Sequence, residues 1–416
     1  MPTIMSQPTS LDDAMPAPSW STGPSAAPRP TAARTARPGK LEVRMTERRS
    51  FCEYHLTGTV DRWAPRGAAA DLFLQAAEVL AEGGIQPMQE KLYGLVGARG
   101  DALRWREEAW RRHELDFHVP VTWVQGTPLD SGDFVGFQIW GIAPRDNSTR
   151  VTTVENAVTG RGRLWTGPGF RLLHLPAVRG LEPDGRLADG APAQADRMFA
   201  NAARALQEHG MELRHVVRTW IYLARLLEWY GDFNRVRNAH YKPAGLGAAG
   251  GPAFPASTGI QGRMDGEECV MDVLAFECDG PACPTAVPIR RSPRQDQSFN
   301  YGSAFSRGMA LEMEGHRTVH ISGTASINAA GASTHLGDAE MQSVETLLNI
   351  AAILQDQGGS LKNIKSATLF CKDRAAWEAW NRVSHLLQVP AFPKICVQAD
   401  VCRHDLLVEM EAVAVI

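Results

Sequence analysis

The pattern of hydrophobic and polar positions repeats three times along the chain. Each copy opens with a strand that carries a histidine before a small or turn-forming pair, at His55, His174 and His320. An amphipathic helix that ends at glycine follows, and then a strand of alternating apolar and polar residues. A second helix with aromatic residues on one side and a proline-led strand pair close each copy. This order predicts an α/β (α+β) chain of three tandem units.

The first helix of the third copy has the clearest period. Met341, Val344, Leu348 and Ala351 recur at helical spacing, and the glycine pair at 358–359 supplies a left-handed stop. The pattern therefore predicts an amphipathic helix that ends just before these glycines.

Composition shifts give the boundaries of the units. We place them at residues 41–150, 151–280 and 297–416, with a proline-rich, charged linker at 281–296. Residues 1–40 are rich in Pro, Ser, Ala and Thr, which predicts a disordered tail; a targeting role is the alternative. No run approaches 18 apolar residues, so no membrane span is predicted.

Charge and cysteine content narrow the class of protein. The 416 residues are 44% hydrophobic with a formal net charge of −3, which indicates a soluble globular protein with no nucleic-acid footprint. Seven cysteines, an odd number without a CxxC pair, favour reduced thiols in a cytoplasmic protein. Cys278 and Cys283 are only a weak metal signal without nearby histidines, so we predict neither a metal nor a cofactor.

The last strand carries the candidate chemistry. In LLVEMEAVAVI, alternation puts Glu409 and Glu411 on one face and Val408 and Met410 on the other. A solvated edge strand with a salt bridge would explain this strand alone. Because the same strand closes all three copies, we instead expect it to lie inside a sheet with its carboxylates at a functional site.

The third copy resembles a member of the Rid (YjgF) family. The resemblance rests on SAFSRG at 303–308, HISGTASI at 320–327 and the ending KICVQADVCRHDLLVEMEAVAV. Rid proteins are homotrimers of a chorismate-mutase-like fold with active sites in clefts between subunits. The resemblance implies that three fused copies build the trimer within one chain, which would be a monomer or a small oligomer.

The copies differ at the positions that the family uses. A count of fifteen residues from the proline-led strand aligns the family's carboxylate with Glu409, Asp272 and Gly136 in the third, second and first copies. Its guanidinium aligns with Lys394, Ser257 and Val121. Only one copy keeps a glutamate and none keeps the arginine, and lysine lacks the arginine's two-pronged geometry. The resemblance thus implies one working cleft that departs from the imine-deaminating pattern.

A narrower resemblance accommodates this departure. ISGTASI, THLGD and DVCRHDLLVEME in the third copy, and VVRTWIYL, FNRVR and FPASTGI in the second, are similar to chorismatases; NAAGAS at 328–333 departs from their pattern. Chorismatases hydrolyse the enolpyruvyl ether of chorismate, so the resemblance implies a small carboxylate substrate. Protonating a vinyl ether needs a carboxylic acid; we assign this role to Glu409, whose pKa Glu411 would raise.

Further residues are candidates for binding the substrate. Its two carboxylates require cations, for which the candidates are Arg403, Lys394, Arg307 and Arg263. Tyr222 is a candidate wall of the cleft, Ser322 and Gly323 are candidate donors, and Cys402 is expected to shape the pocket. Two other functions stay open: a Rid-type enamine or imine hydrolase, and a non-catalytic small-molecule sensor.

Overall fold

The computed structural model describes residues 39–416 except 62–63, 65–66, 263–265 and 279–282, and it does not describe the side chains of residues 300 and 301. The predicted tail lies outside the described residues apart from its last two positions, which begin the first strand. Within the described chain, no helix combines the length and the apolar character needed to cross a membrane.

The first unit has a five-stranded sheet of order β1-β2-β6-β3-β4. Its elements are β1 Gly39–Glu47, β2 Phe51–Val60, α1 Ala68–Glu82, β3 Gln86–Gly94, α2 Arg99–Arg112, β4 Thr122–Gln125, β5 Thr127–Pro128 and β6 Phe134–Pro144. The short strand β5 leaves this sheet and pairs with the third one.

The second unit has a six-stranded sheet of order β11-β10-β12-β9-β8-β7. Its elements are β7 Arg150–Asn156, β8 Gly160–Gly167, β9 Phe170–Arg179, α3 Ala191–Gln207, β10 Val216–Leu223, α4 Leu226–Tyr241, β11 Ala256–Gln261 and β12 Cys269–Cys278. Phe199 and Phe233, on the two helices, are fully buried against this sheet.

The third unit has a seven-stranded sheet of order β13-β14-β15-β18-β16-β17-β5. Its elements are β13 Thr285–Ile289, β14 Gly308–Met313, β15 His316–Ala325, α5 Ala339–Asp356, β16 Ile364–Cys371, α6 Arg374–Leu386, β17 Lys394–Gln398 and β18 Val408–Val415. β13 lies in the segment predicted as a linker and pairs with β14, so part of that segment is an edge strand.

Strand register shows that the units are equivalent. The repeated histidines lie opposite the same position of the last strand, in the pairs His55 with Trp140, His174 with Leu274 and His320 with Val413. The sheets face one another on the side away from their helices, since polar contacts between units join these faces. The predicted intramolecular pseudo-trimer of Rid-like units is therefore the observed architecture.

Two local predictions need correction. Helix α5 ends before Gly358, whose φ of 85° is left-handed, as predicted. Its buried face, however, includes Leu347, Ile350 and Leu354, whereas Met341 and Leu348 are exposed, because the helix packs on the sheet with the other side. The prediction of reduced thiols also needs qualification at Cys278 and Cys283, whose Cα atoms lie 5.6 Å apart, close enough for a disulfide.

Candidate active site

Glu409 lies on β18 between two neighbouring strands, opposite Ala325 of β15 and Phe370 of β16. Successive side chains of a strand point to opposite faces. Val408 and Met410 are buried beneath α5 and α6, so Glu409 between them points away from these helices. The residue is 4% exposed, so the strand is interior and not a solvated edge. The buried Glu409 carboxyl has no salt bridge to a cation within the described part of the chain.

The pKa of Glu409 is raised from its usual 4.5 to about 8, mainly by burial and also by the charge of Glu411, against the opposing effect of Arg218. A charged carboxylate loses hydration when it is buried, which favours the protonated form. Glu409 therefore carries a transferable proton at neutral pH, as general acid catalysis requires.

Glu411 is held by cations from the other two units. Arg218 of the second unit donates through Nη2 to Glu411 Oε2 at 2.7 Å, and Lys91 Nζ of the first unit lies 3.9 Å from Oε1. All three side chains are buried. These contacts give Glu411 two counter-charges from other units, and the charge of Glu411 helps to raise the pKa of Glu409 two residues away.

Glu409 opens into a cleft between the second and third units. The bridge between Ala256 of β11 and Ser306 joins the two units beside it. The second unit contributes Tyr230, Arg237, Ser257 and Gly259, and the third contributes Ser303, Phe305, Arg307, Gly323, Ala325, Ile327, Cys402, Arg403 and Glu409. A carboxylic acid and three arginines thus share one cleft.

The arginines are anchored from different elements. Arg307 is 2% exposed and donates to the Asp296 carbonyl at 2.8 and 3.1 Å. Arg403 donates to the Gly331 carbonyl at 2.8 Å and to the Ser333 hydroxyl at 3.3 Å. These hydrogen bonds hold both guanidinium groups in place, which makes the cleft suited to an anion.

Ser322 and Gly323 support the carboxylic acid. The Ser322 hydroxyl donates to the Ser306 carbonyl at 2.5 Å and accepts from the Ser257 amide at 2.9 Å, so it ties the two units together. A Cβ atom at Gly323 would overlap Oε1 of Glu409. Gly323 is therefore needed for the space that the Glu409 carboxyl occupies, and only Gly323 of this pair lines the cleft.

Cys402 lines the same cleft as an un-ionised thiol. Its pKa is raised to about 12, mainly by burial and also by the neighbouring Glu409. A thiol of this pKa is not a nucleophile at neutral pH. Its place in the structure agrees with a residue that shapes the pocket. Within the described residues, no cluster of three or more His, Cys, Asp or Glu side chains could hold a metal ion.

Comparison with known proteins identifies the family. The family model described as Endoribonuclease L-PSP matches residues 303–416, which form most of the third unit. The 3-aminoacrylate deaminase RutC of Acinetobacter baylyi is 33% identical over 101 residues, 23% of this chain and 77% of that protein. The chain belongs to the Rid (YjgF) family. A RutC family protein of Synechocystis is 32% identical over 82 residues, 19% of this chain and 63% of its own length.

The arrangement of Rid units also has a solved counterpart. A chorismatase crystal structure matches with a TM-score of 0.55 at 19% identity, and the match covers 79% of this chain and 92% of that one. At this identity the likeness concerns the fold. It extends over more than the third unit, in contrast to the family-model match.

The structure does not bring Lys394 to the Glu409 cleft. Lys394 begins β17, which borders the first unit because its Val397 pairs with Pro128 of β5. The Lys394 ammonium lies 5.5 Å from the Phe392 ring centroid. The corresponding position beside Glu409 belongs to the second unit and is Ser257. In the third unit, the carboxylate position of Glu409 faces one cleft and the strand position of Lys394 faces another. The alignment of single copies did not reveal that one unit contributes these two positions to different clefts.

The counterpart of Glu409 in the second Rid unit is also corrected. Phe370 pairs with Glu409 as Tyr222 pairs with Val270, so Val270 and not Asp272 is equivalent. The loop before β12 is shorter than the one before β18, and the residue count across it was wrong. Asp272 corresponds to Glu411. The inference that only the third unit has a glutamate at this position is unchanged.

Another predicted residue, Tyr222, is not among the described residues that line the cleft. Tyr222 is 3% exposed on β10, where its Cβ lies against Gly262 and Val270 is its strand partner. It is packed in the interior between units, and burial raises its pKa well above 10. Arg263 lies outside the described residues.

Arg237 is the cleft residue that the sequence analysis missed. It lies on α4 one turn after Phe233, on the buried side of the helix, and is 1% exposed. Its Nη2 donates to the Asn234 side chain at 2.7 Å, while its buried Nε has no hydrogen-bond partner within the described residues. An arginine on the apolar side of a helix, in the FNRVR segment, was the available signal.

Proposed function

We propose that this chain hydrolyses the enolpyruvyl ether of chorismate or a closely related dicarboxylate. The observation that carries the proposal is the buried Glu409 carboxyl, with its pKa raised to about 8, in a cleft that Arg237, Arg307 and Arg403 also line. The fold likeness to a chorismatase supports it. A cleft with three guanidinium groups can neutralise two carboxylates while the acid remains un-ionised.

The reaction follows from these groups. Glu409 transfers its proton to the terminal carbon of the vinyl ether, and the ether oxygen stabilises the resulting oxocarbenium ion. Water adds to this ion and returns a proton to the Glu409 carboxylate. The hemiketal then breaks its bond to the ring oxygen, releasing pyruvate and the ring alcohol. Chorismate would give pyruvate and a dihydroxycyclohexadiene carboxylate, or a hydroxybenzoate if the ring then aromatises.

A Rid-type enamine or imine hydrolase is the second candidate. Its support is the sequence likeness to the 3-aminoacrylate deaminase. The cleft argues for the ether substrate instead, because the strand position of the family's guanidinium is Ser257 there. A purified protein that turns over 2-aminoacrylate and leaves chorismate intact would favour the second candidate, and binding without turnover would favour a sensor.

The pH profile of chorismate hydrolysis tests the proposed acid. Because the pKa of Glu409 is about 8, pyruvate release should be level near neutral pH and fall about tenfold per pH unit above pH 8. The measurement is kcat/KM for pyruvate release, with the ring product identified by chromatography. Absence of pyruvate at every pH would remove the chorismatase proposal, and a rate that does not fall above pH 8 would exclude Glu409 as the acid.

Arg237 is expected to bind a substrate carboxylate. Arg237→Met removes a charge-assisted hydrogen bond worth about 1.5–3 kcal/mol, which corresponds to a dissociation constant for chorismate roughly 10 to 150-fold higher. Arg235→Met, two residues away on the exposed side of α4 with a side chain that is 76% exposed, is the matched control and should bind normally. Equal affinities of the two variants in calorimetry would exclude Arg237 from the binding site.

A further inference from the structure

An interior cavity lies where the three sheets meet, separate from the Glu409 cleft. Its wall has residues of all three units, among them Lys91, Arg218, His320 and Glu411. Its volume of about 40 Å³ exceeds the roughly 10–15 Å³ that one water needs. The cavity is therefore large enough for a monatomic ion or a few waters.

Several nitrogen atoms in this wall lack an acceptor. Arg218 uses Nη2 for Glu411 and for Thr258, and its buried Nη1 has no hydrogen-bond partner in the described part of the chain. Neither ring nitrogen of His320, which is 2% exposed, has a hydrogen-bond partner there either. The Lys91 ammonium is 3.9 Å from its nearest carboxylate oxygen, beyond hydrogen-bonding distance, and lies over the Trp220 ring.

The Gln138 side chain in the wall and the neighbouring Asp272 carboxylate already accept hydrogen bonds. Gln138 Oε1 accepts from Tyr93 at 2.8 Å and from Thr368 at 3.2 Å. Asp272 does not line the cavity; it accepts from Thr122 and from the Ala177 amide. Buried donors without acceptors are unfavourable, so a further acceptor in the cavity would stabilise Arg218 Nη1 and the His320 ring.

The charges in the wall favour a negative occupant. Lys91 and Arg218 face the cavity against the single carboxylate of Glu411, which Arg218 already binds. Burial lowers the pKa of Lys91 only to about 8, so its ammonium is charged at neutral pH. Burial lowers the pKa of His320 to about 3, so its ring is neutral and offers one N–H donor.

We propose that this axial cavity is a binding site for one small monovalent anion of halide size, held by Arg218 Nη1, the Lys91 ammonium and an N–H of His320. The anion supplies an acceptor for Arg218 Nη1 and the His320 N–H, which have none within the described residues. It also gives Lys91 a counter-charge while Glu411 remains paired with Arg218. The site is formed only when all three units come together, because each donor belongs to a different one.

Anomalous diffraction from crystals of the full chain grown with bromide as the only halide tests this site. We expect one bromide peak in the interior, within hydrogen-bonding distance of Arg218 and His320. Lys91→Met should abolish the peak, and Lys362→Met, which changes an exposed lysine, should retain it. Ordered water without anomalous signal in the unsubstituted protein, or bromide at the surface only, would overturn the proposal.

A second variant covers the case in which Lys91→Met does not fold. His320→Phe removes both ring nitrogens but keeps an aromatic ring between Trp140 and Trp220. It should lower bromide occupancy at least severalfold, and unchanged occupancy would contradict the assignment. Glu409→Gln should retain the interior peak, so failure of the anion site and failure of the hydrolase proposal are distinguishable.

Discussion

Glu409→Gln is expected to lower pyruvate release from chorismate by roughly 10² to 10⁴-fold, the usual contribution of general acid catalysis. Glutamine keeps the size and hydrogen bonding of the side chain but has no acidic proton. Chorismate should still bind, since the arginines are intact. The measurement is single-turnover pyruvate release with saturating enzyme, together with a dissociation constant from calorimetry.

Glu411→Gln is the informative comparison. This substitution removes the carboxylate charge that helps to raise the pKa of Glu409. The alkaline limb of the pH profile should therefore move to lower pH, while activity in mild acid should be less affected. If Glu409→Gln retains near-normal release and Glu411→Gln abolishes it, the two roles are reversed. If neither variant changes the rate, the reaction takes place in another cleft.

Stability gives an independent readout of the Glu409 pKa. A group whose pKa is higher in the folded protein contributes stability below its unfolded value, here 4.5, and this contribution is lost as the pH rises toward 8. The side-chain amide of the variant Glu409→Gln cannot ionise. The free energy of unfolding of this variant should therefore depend less on pH between about 5 and 8 than that of the unsubstituted protein.

Arg218→Met is expected to lower the free energy of unfolding by about 3–5 kcal/mol, because it leaves the buried Glu411 carboxylate without its main counter-charge. The two side chains are 2% and 7% exposed and 2.7 Å apart. Urea unfolding monitored by two spectroscopic probes measures the effect. The same variant should weaken the interior bromide site, which uses the other guanidinium nitrogen.

Arg225→Met is the matched control for this loss. Arg225 also pairs with glutamates, Glu228 and Glu268, but its side chain is 55% exposed, so the variant should change stability by less than about 1 kcal/mol. Adding Glu411→Leu to Arg218→Met should recover much of the loss, since the unpaired charge is then gone. Equal stabilities of Arg218→Met and Arg225→Met would show that the buried pair is not a major contributor.

Residue patterns within one unit were read correctly from the sequence. Periodicity located the helices, and Gly358 stops α5 with a positive φ that glycine adopts without strain. The alternation in β18 predicted that Glu409 and Glu411 share a face, which the structure confirms. The sequence pattern did not identify the buried side of α5. The exposed Met341 and Leu348 fit a helical period just as the buried residues do.

Contacts between units could not be read in the same way. Lys394 and Glu409 are close in sequence, yet their strands border different neighbours, while Arg237 lies in the cleft of Glu409 from 172 positions away. The count of fifteen residues aligned Asp272 with Glu409 incorrectly, because the loops before β12 and β18 differ in length while the strand register is the same. An error of two residues in the count replaces one inward-facing strand position with the next, because alternate residues of a strand face the same side.

The sequence by itself determined three repeated α+β units, their glycine stops and an acidic last strand, because these depend on local periodicity and on backbone preferences. Only the tertiary structure decided which side chains of different units meet. Packing of the sheets buries Glu409 and raises its pKa, pairs Glu411 with Arg218, and brings Arg237 to the same cleft. Desolvation and charge proximity act through space, so they depend on this packing and not on distance along the chain.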